Sequence, residues 1–318
     1  MNAVITAALP VFALILTGWL AARAKVLGPG ATDALNRYVV YLSLPALLFR
    51  AMTQVDLAHM AHWGFVGAFA GGIAVTFLVA FLPGRGADKN TRRALTDRSI
   101  EGLAASYANA GYMGIPLCLA LLGADSLAPA TFTTLLTASV LFGFAIALIE
   151  FDRQQTPNAA ATLIKVGRAL MRNPLLAAPV LGLAWAWTGV ALPEGIDRYV
   201  ALLGASASPC ALVTIGLFLA QTETASAGPG VLRLVLGKLL LQPAVTAVLA
   251  FYVFSMPPLW AWTAVLMSAL PIGTGPFMLA NMYGRDARVT SRAILVSTVA
   301  SVLTVSLLVA WISAHPVS

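Results

Sequence analysis

The chain has 318 residues, 59% of them hydrophobic and only 10% charged, with a mean hydropathy of +0.87. A soluble domain carries about 25% charged residues, so the composition excludes an ordinary soluble fold and puts nearly every residue in lipid or in packed helix. The net charge of +7 does not point to nucleic acid, because the basic residues fall in short loops between apolar stretches, where they set membrane orientation. Cys118 and Cys210 both lie inside apolar segments and form no disulfide framework. The first positive charges, Arg23 and Lys25, follow the first apolar run instead of preceding it, so no cleavable signal is expected.

A membrane-spanning helix needs about 20 mainly apolar residues. Taken in chain order, ten stretches qualify: roughly 3–23, 33–54, 61–82, 98–122, 127–150, 173–192, 196–220, 231–254, 259–283 and 288–313. The longest polar stretches are Pro83 to Arg98 and Phe151 to Arg172. The second reads as a short interfacial helix, with Leu163, Ile164, Val166 and Leu170 on one face and Lys165, Arg168 and Arg172 beside them. No separate soluble domain is evident.

The loops after the odd-numbered helices carry Arg23, Lys25, Arg85, Lys89, Arg92, Arg93, Arg98, Arg153, Lys165, Arg168, Arg172, Arg233, Arg285, Arg288 and Arg292, and Arg37 opens the second helix on the same side. The opposite side has only Arg50 and Arg198. The basic side is therefore read as cytoplasmic, with both termini outside the cytoplasm. Five helices followed by five more make an inverted repeat, because an odd number flips the second copy. NRYVVYLSLP (Asn36–Pro45) resembles DRYVALLGASASP (Asp197–Pro209), and Pro116 and Pro276 fall at matching places. The expected fold is an all-α membrane protein of ten transmembrane helices in two inverted five-helix repeats. The first repeat covers 1–150, a cytoplasmic linker 151–172, and the second repeat 173–318.

The fourth and ninth helices are interrupted by SYANAGYMGIP (Ser106–Pro116) and SALPIGTGP (Ser268–Pro276). Unpaired backbone groups in hydrocarbon cost several kcal/mol each, so such breaks persist where they line a cavity or bind something. Both lie roughly 15–18 Å into a core about 30 Å thick. Pro116 and Pro276 suit the first position of a new half-helix. Two helix N-termini facing one cavity favour a carboxylate or other anion. The alternative is two simple kinks.

Five further pieces carry a family resemblance: LPVFALILTGWLAARAKVL at the start, LNRYVVYLSLPALLFRAM in helix two, GKLLLQPAV in helix eight, LANMYG at the end of helix nine and ILVSTVASVLTVSLL in helix ten. Nearly end to end, the chain resembles the auxin efflux carrier family of membrane permeases. The resemblance implies crossed, broken helices in a transport domain that moves against a scaffold, and cargo such as auxins, malate or malonate. The long cytoplasmic loop of the plant exporters is absent, which argues against a plant protein and leaves the substrate open, and the expected location is a bacterial inner membrane.

The resemblance places Asn109, Gly111, Tyr112, Gly114 and Pro116 at the first crossover, and Pro271, Gly273, Thr274, Gly275 and Pro276 at the second. Asn109 offers donors and acceptors or caps the break, and Thr274 binds cargo or its own backbone. Asn281 reaches the site or merely ends its helix. Tyr41, Ser206 and Ser208 line the scaffold side or pack. Lys238, about seven residues into helix eight, is a counter-charge for a carboxylate, a partner for Gln242 or a broken-helix carbonyl, or a snorkelling side chain.

Neither crossover contains an acid. Asp33, Asp56, Asp88, Asp97, Glu101, Asp125, Glu150, Asp152, Glu194, Asp197, Glu223 and Asp286 read as loop or helix-end residues, and His59, His62 and His315 as outer-edge residues. The expectation is an alternating-access carrier of a small organic anion, weakly or not coupled to a cation, with no cofactor and no metal. Its partners are the lipid bilayer and its cargo, and a homodimer is compatible with the sequence. The alternative is a sodium- or proton-coupled symporter or antiporter on the related bile-acid and sodium/proton carrier fold. An intramembrane enzyme would need a nucleophile and base or a metal cluster, and the apolar segments hold neither.

Overall fold

The computed structural model describes residues 8–28, 30–54, 63–82, 95–153, 174–221 and 228–314. The interfacial helix read between 151 and 172 lies mostly outside these residues, as do Arg85, Lys89, Arg92, Arg93, the three histidines, Asp56, Asp88 and Glu223.

Each of the ten apolar stretches holds helix. In chain order these are α1 (Leu9–Arg23), α2 (Ala31–Tyr38), α3 (Leu44–Thr53), α4 (Trp63–Phe81), α5 (Leu95–Ser106), α6 (Ile115–Leu122), α7 (Leu127–Leu135) and α8 (Phe142–Arg153). They continue with α9 (Pro174–Ala186), α10 (Glu194–Ala205), α11 (Ala207–Gln221), α12 (Pro229–Leu236), α13 (Gln242–Val248), α14 (Pro258–Ser268), α15 (Gly275–Met282) and α16 (Arg288–Ala314). Five continuous helical runs are long and apolar enough to cross a membrane: Trp63–Phe81, Ala124–Asp152, Glu194–Gln221, Pro229–Val253 and Arg288–Ala314. Shorter apolar helices accompany them. Large apolar side chains such as Leu78, Phe144, Leu303 and Trp311 face outward, as expected where the solvent is lipid.

Several stretches change pitch instead of breaking. Wide π turns occupy Val39–Ser43, Ala110–Gly114 and Gly237–Leu241, and each ends two residues before a proline: Pro45, Pro116 and Pro243. A proline inside a helix removes one hydrogen bond and pushes against the carbonyl four residues earlier. Widening the preceding turn accommodates that carbonyl without ending the helix.

The most extensive packing falls within two groups. In one, α1 lies along α11, α9 along α3, and α10 against α3. In the other, α4 packs on α5, α13 and α14, α5 on α8 and α15, and α12 on α16. The first group is joined by close backbone approaches. A Cβ on Gly216 would stand 2.0 Å from the Ile15 carbonyl oxygen, one on Gly18 2.1 Å from that of Val213, and one on Gly182 2.4 Å from that of Phe49. Lipid supplies no hydrophobic drive between helices, and such small-residue contacts are how membrane helices gain packing energy. A forked ion pair, Arg50 Nε to Asp197 Oδ1 at 2.7 Å and Nη2 to Oδ2 at 3.0 Å, ties the end of α3 to α10.

The second group is held at its basic end by polar contacts. Arg233 reaches Glu101 at 2.8 Å and the Ala80 carbonyl at 2.9 Å. Arg285 pairs with Asp97, Thr96 binds Asp152, and Tyr283 donates to Glu150 at 2.9 Å. Glu101 sits midway along α5 rather than in a loop, and Arg233 on the neighbouring α12 makes that depth tolerable.

Candidate functional site

The fourth and ninth stretches are interrupted, and the interruptions cross. Helix stops at Ser106 and resumes at Ala110, and stops at Ser268 and resumes at Gly275. Ala108 and Ile272 form an isolated antiparallel bridge. The Asn109 amide donates to the Pro271 carbonyl at 2.9 Å, and the Gly273 amide to the Tyr107 carbonyl at 3.0 Å. The Ile272 amide donates to Ser297 Oγ of α16 at 3.1 Å. The two gaps thus satisfy much of each other's backbone, which removes the main cost of breaking a helix in an apolar interior.

The glycines permit the crossing. A Cβ on Gly275 would stand 2.6 Å from the Tyr107 ring, one on Gly273 3.0 Å from it, and one on Gly114 2.5 Å from Met267 Sδ. These glycines, with buried Pro116, Pro271 and Pro276, shape the crossing. Pro276 occupies the first turn of α15, as the sequence suggests, but helix has already resumed at Ala110, six residues before Pro116. The π turn explains the difference, because it carries the chain past the proline without a fresh start.

Asn109 is 7% exposed, and its side-chain amide has no hydrogen-bond partner among the described residues. It does not cap the helical turn that begins at Ala110, nor does Thr274 cap α15. Neither half-helix start is closed by a side-chain cap. Thr274 and Gly111 are partly open. Tyr112 is buried and donates to Asn36 Oδ1 of α2 at 2.6 Å, which links the crossing to the other helix group.

Lys238 is fully buried in the π turn ahead of α13 and donates to the Ser268 carbonyl, the last of α14 before the gap. Of the readings open in sequence, the geometry is that of an amine on a broken-helix carbonyl. Gln242 and Thr246 continue the same face at four-residue spacing, fully buried. Ser206 is bonded to the Tyr38 hydroxyl at 2.6 Å, and Ser208 is half-buried nearby. Tyr41 faces outward, 63% exposed, and Asn281 lies exposed near the end of α15. Neither is brought to the crossing. Tyr38, Asn36, Tyr107 and Ser297 are the contacts that sequence reading passed over. The only cue for Tyr38 and Asn36 was their place in the NRYVVYLSLP segment.

A cavity of about 300 Å³ opens beside the second crossover, lined by Phe218, Gln221, Phe277, Arg288, Ser291 and Arg292 among others. Phe277 follows Pro276 directly, and its ring meets that of Phe218 edge-on at 5.3 Å. The Arg288 side chain and backbone amide hold the neighbouring Asp286 carboxyl down to about 2. No cluster of three or more His, Cys, Asp or Glu that would hold a metal occurs among the described residues.

Residues 3–309 match the family described as membrane transport protein. A Rhizobium meliloti protein named "Putative malonate transporter" is 30% identical over 299 residues, 94% of this chain and 92% of its own length. An uncharacterized transporter of Methanothermobacter thermautotrophicus is 27% identical, with 94% and 95% covered. Auxin efflux carrier component 8 of Arabidopsis thaliana is 22% identical, with 92% of each chain covered. With multiple apolar helices and a match over nearly its whole length, the chain belongs to the membrane transport protein family of the auxin efflux carriers and is an integral membrane transporter, not an enzyme.

Proposed function

We propose that this transporter carries a small organic anion, a dicarboxylate such as malonate or malate or an auxin-like acid, through the helix crossing by alternating access. The observation that carries the reading is the buried, unpartnered Asn109 amide set between two uncapped helix starts. Half-helix N-termini each present roughly half a positive charge, and the Lys238 amine occupies the opposing carbonyl end at Ser268. The net field at the gap then favours a carboxylate. The basic cavity at Arg288 and Arg292 offers an approach of the same sign. The Rhizobium relative's name supports malonate as the first cargo to try.

The two helix groups supply the moving parts. The crossing group slides against α1–α3 and α9–α11, and the Tyr112–Asn36 bond breaks and reforms between them. The reciprocal packing of α1 on α11 and α9 on α3 supports two inverted five-helix repeats, ten spans in all. The clustering of basic residues at one end supports placing both termini outside the cytoplasm of a bacterial inner membrane. Exposed Tyr41, Leu42, Tyr199 and Leu202 form an apolar flank for lipid or a second copy. With no acid at the crossing, export runs on the membrane potential, about 2.3 kcal/mol per charge per 100 mV.

Counterflow of labelled malonate, malate and an aryl acetate in proteoliposomes tests this. Saturable flux of one of them at fixed voltage, without a pH or sodium gradient, is expected. Asn109→Ala should lower it at least about tenfold, one charge-assisted contact, with the melting temperature unchanged. Flux that collapses without either gradient would refute the uncoupled reading, and unchanged flux in Asn109→Ala would move the site elsewhere.

A further inference from the structure

A second cavity, about 540 Å³, lies at the foot of α1 where it meets α11 and shares only Gln221 with the cavity beside the second crossover. Arg23, Lys25, Thr32, Leu27, Leu217 and Gln221 form its wall. Neither Arg23 nor Lys25 pairs with an acid among the described residues. The Arg23 guanidinium lies over the Trp19 ring, 5.5 Å from its centroid, and Gln221 Nε2 donates to Thr32 Oγ1 at 2.8 Å.

The turn that presents these charges is specific. After α1 the Lys25 amide bonds the Ala22 carbonyl at 3.1 Å and the Val26 amide the Ala21 carbonyl at 3.0 Å, which closes the helix end in a Schellman turn. The left-handed residue in that turn is ordinarily glycine, but here it is Lys25, with φ +56°. The strained position thus holds a charge over the cavity mouth.

Depth selects the ligand. Leu16 and Leu20 face outward along α1, and Trp19 stands about one turn above Arg23. Tryptophan marks the headgroup boundary, and the basic face is the one the charge asymmetry assigns to the cytoplasm. Basic pockets between helices at that level recognise anionic headgroups.

We propose that this cavity binds the phosphate diester of an anionic phospholipid from the cytoplasmic leaflet, with Arg23 and Lys25 on the phosphate and the acyl chains against Leu16, Trp19 and Leu20. A free phosphate ester shares the headgroup chemistry but has no use for that apolar stripe.

Native mass spectrometry of the full chain, titrated with phosphatidylglycerol or phosphatidylcholine of identical acyl chains, reads the site. Each basic residue near an anionic surface contributes about fivefold. The Arg23→Gln/Lys25→Gln double variant should therefore hold phosphatidylglycerol roughly 25-fold more weakly, with phosphatidylcholine retention unchanged. Equal retention of phosphatidylglycerol by parent and double variant overturns the proposal. So does displacement of the lipid by equimolar glycerol phosphate, which would make the occupant a soluble ester. If the double variant does not fold, the parent alone decides, because equal retention of the two lipids also overturns it.

Discussion

The two helix groups are built on opposite principles. The α1–α3 and α9–α11 group is stitched by glycine: backbone meets backbone at Gly18, Gly182 and Gly216, with one forked ion pair at its edge. The crossing group buries polar atoms at its centre, Asn109, Lys238, Gln242 and Thr246 among them, and closes its basic end with ion pairs and a carboxylate bound by Thr96. A frame gains from dispersion contacts that no rearrangement would improve. A moving carrier body needs polar groups whose partners change between states. The contrast predicts that substitutions in the first group act on stability, and those in the second on transport.

The largest effect is expected at Gly216. A Cβ there would sit 2.0 Å from the Ile15 oxygen and 2.6 Å from the Trp19 nitrogen. Those atoms belong to backbone and cannot swing aside, so Gly216→Val should cost at least about 1–3 kcal/mol and part α1 from α11. Gly237→Ala in the crossing group is the control. Its nearest neighbours would be Thr76 Cγ2 at 3.6 Å and Ala105 Cβ at 3.7 Å, ordinary contact. Thermal melts of the purified variants should show several degrees lost for Gly216→Val and little change for Gly237→Ala. A Gly216→Val melt matching the parent would end the view of this group as a close-packed frame.

A smaller effect is expected at Lys238, and of the other kind. Lys238→Met keeps the length and removes the amine that faces the Ser268 carbonyl. The substitution frees the Ser268 end of the gap and loses one positioning hydrogen bond, worth about 0.5–1.5 kcal/mol, so KM for the carboxylate should rise about twofold to tenfold. Stability moves less, because losing the bond to Ser268 is offset by no longer burying an amine. A large fall in melting temperature with KM unchanged would make Lys238 a strut and blur the distinction between the groups.

The distinction also marks what the amino-acid order reveals. The breaks at Ser106–Pro116 and Ser268–Pro276 stand out because glycine, proline and small polar residues are poor company for a lipid-buried helix. Their mutual bonding, Asn109 to Pro271 and Gly273 to Tyr107, joins residues more than 160 positions apart, and no local pattern announces it. Tyr41 is a different case. It lies within the π turn Val39–Ser43, where a wider turn shifts the phase of the following residues. Tyr38, three residues earlier, makes the contact with Ser206. Lys238 was legible as an unusual charge, but its carbonyl partner was set by how α13 and α14 pack.

The smallest effect belongs to the rim, where neither principle applies. Asp286, in the turn between α15 and α16, is held down to about 2 by the Arg288 side chain and backbone amide, against an ordinary value of 3.8. A carboxyl whose folded value is depressed adds stability above its unfolded value, and that stability is lost as pH falls through the folded one. The window is therefore about pH 4 down to about 2. Melting temperature followed from pH 6 to pH 2 should fall slightly more steeply in that window for the parent than for Asp286→Asn, and above it the parent should hold only a small advantage, since exposed pairs contribute little. A difference that grows above pH 5 would mean that Asp286 acts on something other than Arg288, such as the arginines of the adjoining cavity, and the rim would then belong to the crossing group's chemistry.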